Sequence, residues 1–316
     1  MGCAGIAEER TIPGMLKADN ANLYALASRT QEKLSRFEEK FNPEKTYLSY
    51  EELLDDPMVD AIYLPLPNSL HYEWAIKAAK KKKHVLCEKP LALNEKEVIE
   101  MFRVFKDNDV LLMEAFASRH SPVLQTVKNL IDENTIGPLK YIEGHFSFFL
   151  EDENNVRLIK ELGGGATYDI GAYPISTIRY LAGKEPLKIQ TIGEIHPNLG
   201  VDISSSIMME FDEGLKATAY SAFNTPEWTG YTVLGEKGRI EVPLDFNASG
   251  SLEFELYRNK GKETIFVETP NNYTLEIEQF GRAILDGEEP LVTYDDSLGN
   301  AKVIDIALAQ MFAKKK

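Results

Sequence analysis

From residue 21 to about 115 the chain alternates short apolar, β-rich runs with longer segments whose apolar positions recur every three to four residues. The run "LYALAS" (23–28) reads as a buried strand, and Thr30 then opens a helix whose apolar stripe is Leu34, Phe37 and Phe41. Three more strands follow, "DAIYLP", "HVLCE" and "VLLMEA", each preceded by a helical pattern. The helix from Asn94 has Glu97 three positions on, the spacing of a capping box. Strict alternation of this kind builds a parallel sheet covered by helices on both faces, because parallel strands are joined by helical crossovers.

After about residue 118 the period shortens to two. The segments "KYIEGHFSFF", "SIMMEF", "LKATAYSAF" and "LEFELYR" alternate apolar and polar residues, and Asp212, Glu213 and Gly214 supply a turn between the middle two. A half-buried antiparallel sheet follows. Two helical patterns close the chain, one on Ile277, Phe280 and Ile284 that stops at Gly287, the other on Ile304, Leu308, Met311 and Phe312. The fold class is therefore an α/β domain over residues 1–118, followed over 119–316 by an α+β domain with a large open, mostly antiparallel sheet. No internal repeat or low-complexity linker separates them.

Charge narrows the partners. With 35 Lys and Arg against 50 Asp and Glu, the net charge of -15 opposes binding to nucleic acid or to anionic membrane. No apolar run reaches the roughly 18 residues of a membrane span. A small-molecule partner is the expectation. The run Lys80 to Lys83, at a helix end, reads as solvated cations favoured by the helix dipole. Cys3 and Cys87 stand alone and far apart, which argues against a disulfide framework and structural zinc; with no signal-like opening segment and no spanning run, the expectation is a cytoplasmic protein.

The first stretch with chemistry is "GCAGIA" (2–7). Gly2, Ala4 and Ala7 fall on the G-x-G-x-x-[GA] spacing of a dinucleotide fingerprint, with Ala4 where backbone most closely approaches pyrophosphate. Gly2, Ala4, Gly5, Ile6 and Ala7 are the expected cofactor-binding residues of a Rossmann-type domain. Such a fingerprint follows a strand, and only Met1 precedes Gly2. The expectation is a chain lacking its first strand, about 5 to 6 residues. At the end of the next strand, where an acidic residue binds the ribose of NAD, stand Ser28 and Arg29. A hydroxyl and a guanidinium suit a 2′-phosphate, so NADP is the expected cofactor and NAD the alternative.

Two further motifs sit at strand ends and turns. In "CEKP" (87–90), Lys89 leaves the carboxyl end of a strand, where α/β sheets bind ligands, and Pro90 restricts the backbone that carries it. In "GGGATYDIGAYP" (163–174), three glycines allow a close backbone approach to nicotinamide or substrate. Asp169 and Tyr173 then lie four apart, on one helix face. Hydride transfer to or from a carbinol carbon needs a group that exchanges a proton with the oxygen. A phenol has a pKa of about 10, and a nearby ammonium lowers it towards a useful range.

Together, "GCAGIA", "EKP" and "GGGATYDIGAYP" resemble the glucose-fructose oxidoreductase and inositol dehydrogenase family over essentially the whole chain. Many members carry Asp-x-x-x-His in the last motif. Tyr173 in place of that histidine is similar to the branch with NADP-dependent xylose dehydrogenases and dimeric dihydrodiol dehydrogenase. The resemblance implies an oxidoreductase of sugars or related polyhydroxy compounds, with Tyr173 as acid/base and Lys89 as its partner. It also implies NADP and a homo-oligomer, a dimer or higher, formed through the second domain's sheet. Asp169 is expected to hold a second substrate hydroxyl, and Glu88 to orient Lys89 or touch the cofactor. Glu114 and Arg119 are candidates for the cleft wall. His71 is more in keeping with a satisfied local histidine, and His145 and His196 with sheet or surface roles; no cluster has metal-ligand spacing. Other readings are a non-catalytic, sugar-responsive regulator of the same fold and an inactive shortened form.

Overall fold

The computed structural model describes residues 1–258 and 261–313, and the chain divides into two compact units. One holds Met1–Ala117 with Asn271–Leu298, the other Ser118–Pro270 with the stretch from Gly299 onward. A single boundary near 118 thus marks only the first crossing. The helix read around Ile277 returns to the first unit.

In the first unit β1 (Ala25–Ala27) pairs in parallel with β2 (Lys45–Tyr47). A second parallel sheet has the order β3 (Ala61–Leu64), β4 (His84–Glu88), β5 (Leu112–Ala115). Residues 1 and 2 bond to both: the Met1 ammonium donates to Tyr63 O (2.8 Å) and the Gly2 N–H to Ala27 O (2.8 Å). A short helical segment ends in α1 (Ile12–Met15), and then come α2 (Gln31–Phe41), α3 (Tyr50–Asp55), α4 (Asn68–Lys80) and α5 (Glu95–Asp107). Asn94 caps α5 by accepting from Glu97 N (3.0 Å), while the Glu97 carboxylate accepts from Leu93 N (3.1 Å). Thr30 sits at the start of α2, but its hydroxyl caps nothing.

Lys83 departs from the solvated reading of the basic run. It is buried, and its ammonium donates to Asp56 O (2.8 Å) and Val59 O (2.6 Å), closing loop carbonyls that no strand reaches. The helix α8 (Asn272–Leu285) packs on α1 with almost no gap. A Cβ on Gly14 would stand 2.8 Å from that of Tyr273, Thr274 Oγ1 donates to Gly14 O (3.1 Å), and Asn20 Nδ2 donates to Glu278 O (2.8 Å).

The second unit is built on one large sheet. Its strands are β6 (Leu139–Phe149), β7 (Lys188–Ile195), β8 (Asp202–Glu210), β9 (Lys216–Ala222), β10 (Asn224–Gly235), β11 (Gly238–Val242), β12 (Gly250–Arg258) and β13 (Gly261–Thr269). Their order is β13-β12-β11-β10-β6-β9-β8-β7, antiparallel at every step except β6 with β9. The Asp212–Gly214 turn joins β8 to β9, with Glu213 and Gly214 at φ 55° and 79°. After α6 (Pro122–Asp132), the helices α7 (Ala172–Ala182) and α9 (Tyr294–Ala313) lie on one face of the sheet. A Cβ on Gly144 of β6 would stand 2.9 Å from Pro174 of α7, and one on Gly193 of β7 would meet Met311 of α9. The stripe of α9 is Val303, Ile304, Ala307 and Met311, with Phe312 turned outward. Among the described residues no helix is long and apolar enough to cross a membrane.

Candidate functional site

Residues 2–7 run as a tight turn into a helix. Gly2 has φ 93°, and a side chain there would strike Leu66 at 2.6 Å. Gly5 is exposed, has an ordinary φ, and would have nothing within 4 Å of an added Cβ. Ala7 is buried against the core formed by Cys3, Ile12, Leu26, Leu34 and Phe37. One glycine thus serves the turn and the other leaves open space at the first turn of the helix. That space suits a dinucleotide whose phosphates approach backbone N–H groups. Ala4 and Ile6 are partly exposed beside it.

Ser28 and Arg29 follow β1, whose Ala27 O accepts from Gly2 N, so the structure gathers Gly2, Ser28 and Arg29 at one sheet end. Ser28 is buried and its Oγ accepts from Thr30 N (3.3 Å). Arg29 is exposed, its guanidinium 5.8 Å from the centre of the Tyr50 ring. Its charge also bears on the Tyr50 hydroxyl, to which it is hydrogen-bonded.

Glu88 ends β4 and accepts from the Tyr63 hydroxyl at 2.6 Å; Tyr63 in turn accepts from Thr11 Oγ1 at 2.8 Å. Lys89 follows, joined to Pro90 by a cis peptide bond. The segment is held from both sides. His71, fully buried, has Nδ1 2.9 Å from Pro90 O and Nε2 2.7 Å from Leu66 O, and burial lowers its pKa. Glu114, also buried, accepts from Leu91 N at 2.9 Å. His71 and Glu114 therefore fix the backbone around Lys89.

In the second unit the glycine run has a reason internal to the protein. Gly163 ends a short turn at φ 76°. A Cβ on Gly164 would stand 2.5 Å from Arg157 O, and Gly165 N donates to that same oxygen at 2.9 Å. Gly165, at φ 130°, lies against Asp202. The glycines fold the preceding loop back on the motif and so deliver the Arg157 side chain to it. Buried Asp202 accepts from both Thr167 N and Thr167 Oγ1 at 2.7 Å, fixing the start of the helical turn Thr167–Gly171 that carries Asp169. Burial holds the Asp202 carboxyl above its ordinary pKa, against those bonds.

Asp169 is engaged by Arg157, whose Nε donates to it at 2.5 Å. The charge of Asp169, opposed by burial and aided more weakly by Tyr173, strengthens the guanidinium's hold on its proton. Arg157 is thus a permanent cation in electrostatic reach of both motif residues. Tyr173, in the first turn of α7, is half-buried with its ring 5.5 Å from Phe146 and 5.6 Å from Phe246. These walls hold the Tyr173 ring with its phenol in electrostatic reach of the Arg157 guanidinium. Sequence reasoning missed Arg157; the only signal was an arginine just ahead of the three glycines.

Other candidates have local roles. Arg119 is buried with its guanidinium 4.1 Å from the centre of the Tyr180 ring. His145 stacks on Trp228 (3.6 Å, 14°), and burial lowers its pKa to about 4. His196 Nδ1 accepts from Asn198 N and Leu199 N in a turn. Among the described residues no three His, Cys, Asp or Glu side chains gather to hold a metal ion.

A parallel-sheet unit with a glycine turn entering a helix, followed by a mixed-sheet unit in which a tyrosine, an aspartate and an arginine gather, is a build in keeping with a nicotinamide-dependent oxidoreductase. Residues 1–116 match the oxidoreductase family with an NAD-binding Rossmann fold, and residues 124–241 match the GFO/IDH/MocA C-terminal domain. The chain belongs to the GFO/IDH/MocA family of oxidoreductases. It is 34% identical to the D-xylose 1-dehydrogenase (NADP(+)) 2 of Haloferax volcanii, over 96% of this chain and 94% of that one. It is 32% identical to the trans-1,2-dihydrobenzene-1,2-diol dehydrogenase of Xenopus tropicalis, over 94% of this chain and 92% of that one. The crystal structure of KijD10, a 3-ketoreductase of Actinomadura kijaniata, in complex with NADP and TDP-benzene, superposes with a TM-score of 0.92 at 28% identity, covering 98% of this chain and 96% of that one.

Proposed function

We propose that this oxidoreductase is an NADP-dependent dehydrogenase or reductase of a sugar or related polyhydroxy compound, with Tyr173 exchanging the proton. The observation that carries the reading is the phenol of Tyr173, held by two aromatic walls with the Arg157 guanidinium in reach. When bound, NADP accepts or supplies the hydride. Gly2, Ala4, Gly5, Ile6 and Ala7 would hold its pyrophosphate, and Ser28 and Arg29 its 2′-phosphate. Support comes from the open space at Gly5 and from NADP in the names of the relatives. Among the described residues no carboxylate is paired with the Arg29 guanidinium, which supports NADP over NAD.

Tyr173 takes a proton from the substrate hydroxyl in one direction and returns it in the other. A fixed cation stabilises the phenolate that a base needs. Lys89 is proposed as the ammonium serving Tyr173, with Glu88 orienting it. Variants of KijD10 altered at one lysine and at one tyrosine have been solved with NADP, and those two positions are as far apart in that chain as Lys89 and Tyr173 are here, which supports the pair. Asp169 has its proposed role revised: as the counter-ion of Arg157, it orients the guanidinium, and a substrate hydroxyl meets the pair rather than a free carboxylate.

The Tyr173→Phe variant tests the reading, because phenylalanine keeps the packing on Phe146 and Phe246 and removes only the hydroxyl. It is expected to lose about 10²- to 10⁴-fold in kcat on the best substrate of an aldose and diol panel. NADPH affinity and Tm should stay at wild-type values. A wild-type kcat would remove Tyr173 from the mechanism. NADPH binding by the parent with no turnover on any panel member would favour a regulator instead.

Self-association through the sheet is part of the proposal. Strand registers put Ile192, Met208, Trp228, Leu234 and Phe266 on the face opposite α7, and Ile192 and Phe266 are 68% and 74% exposed. These exposed apolar side chains support an interaction surface on that face. The two cysteines, unpaired and buried, support a cytoplasmic setting.

A further inference from the structure

The first unit holds a buried acid that the proposed proton transfer does not use. Glu276, on α8, is 1% exposed, and its Oε1 has no hydrogen-bond partner. Its electrostatic neighbours come from two other elements, Tyr63 of β3 and Glu88 of β4, and Tyr63 is bonded in turn to Thr11 of the helical turn after the fingerprint. Their hydrogen bonds have a direction. The Thr11 hydroxyl donates to the Tyr63 oxygen, and the single Tyr63 proton goes to Glu88 at 2.6 Å. Glu88 is the acceptor for Tyr63 in this relay.

Its negative charge falls on Glu276. Two carboxyl groups that share a water-poor site do not both ionise. Burial first, and the charge of Glu88 second, push the Glu276 carboxyl well above the usual carboxylate range.

We infer that Glu276 is a positioning residue that keeps its proton in the working protein, so that no second negative charge is added to that of Glu88, the residue before Lys89. As a neutral acid it adds no second charge to the Glu-Lys-Pro segment, so the field at Lys89 stays constant across the neutral range. The consequence for turnover rests on the proposed role of Lys89; the protonation state does not.

The test compares Glu276→Gln, which copies the size and neutrality of the protonated acid, with the parent. A folded-state pKa above the unfolded value means that the stabilising contribution is complete at low pH and is lost as pH rises towards the folded value. Glutamine has no proton to lose. The Tm of Glu276→Gln relative to wild type should therefore rise steadily between about pH 5 and about pH 8. The infrared band of a buried protonated carboxyl should be present in wild type and reduced in the variant. The alkaline limb of kcat/KM should move up by about one pH unit or more in Glu276→Gln.

A Tm difference that is flat or falls with pH, or a protonated-carboxyl band of unchanged strength, would overturn the inference. Glu276→Met gives the same infrared comparison if the glutamine variant does not fold. The outcomes are separable from those of Tyr173→Phe: a flat Tm difference sinks the role of Glu276 alone, while full activity in Tyr173→Phe leaves the pH signature of Glu276 standing.

Discussion

Gly2 and Gly5 stand three residues apart in the same turn, yet an added methyl group should act on different properties at each. At Gly5 a Cβ meets nothing within 4 Å, and the backbone is in an ordinary helical region. Gly5→Ala should leave the fold intact and gain about 0.5–1 kcal/mol in stability, because alanine loses less backbone freedom on entering a helix. If the dinucleotide lies against that backbone, the methyl group overfills the contact at about 1–3 kcal/mol. That loss is about 5- to 150-fold in affinity. At Gly2 the methyl group meets Leu66 at 2.6 Å on a backbone at φ 93°. Gly2→Ala should lose stability by about 1–3 kcal/mol before any ligand is added. Urea denaturation reads the first quantity and NADPH fluorescence titration the second. Wild-type NADPH affinity in Gly5→Ala would refute the assignment of that space to the cofactor. Parallel losses of stability and binding in Gly5→Ala would refute the claim that the space is free.

Two further substitutions probe the second unit. Arg157→Gln should lower kcat/KM by about tenfold or more, ~1.4 kcal/mol, and move the half-activity point to higher pH as the phenolate loses a cation. Arg157→Lys should restore the charge-dependent part but not the fork that grips Asp169. A pH profile shared by all three proteins would sink that role. On the open sheet face, Trp228→Glu combined with Phe266→Glu puts two charges into the apolar band, and light scattering should find the mass reduced to that of one chain. An unchanged mass would move the interface elsewhere.

Much of the first unit was legible because its strands are buried on both faces. The run "HVLCE" reads as a strand from its apolar continuity and is β4 from end to end. Strands that see solvent were harder: β13, "GKETIFVET", has few buried positions, and β10 carries Pro226 and a register shift that break its alternation. The motifs pointed to Gly2, Lys89, Asp169 and Tyr173 because glycine and proline mark special backbone. Arg157 and Glu276 carried no such mark. One is an arginine in a charged loop, delivered by a fold-back only the structure reveals; the other is a glutamate whose helical position looks the same whether it meets water or Glu88. The glycines of 163–165 were read as room for a ligand, and the structure shows them making room for Arg157 and Asp202 as well.

The return of α8 to the first unit has a consequence for how the protein is made. Strand ends of the cofactor-binding sheet, α1 and the Glu88 relay are all available once about the first third of the chain has left the ribosome. Their cover, with Tyr273 against Gly14 and the buried Glu276, is translated only after the whole of the large sheet. Residues 1–118 made alone would therefore leave the face of α1 that meets α8 uncovered. Domain exchange within the family would have to carry residues 271–298 along with the first unit.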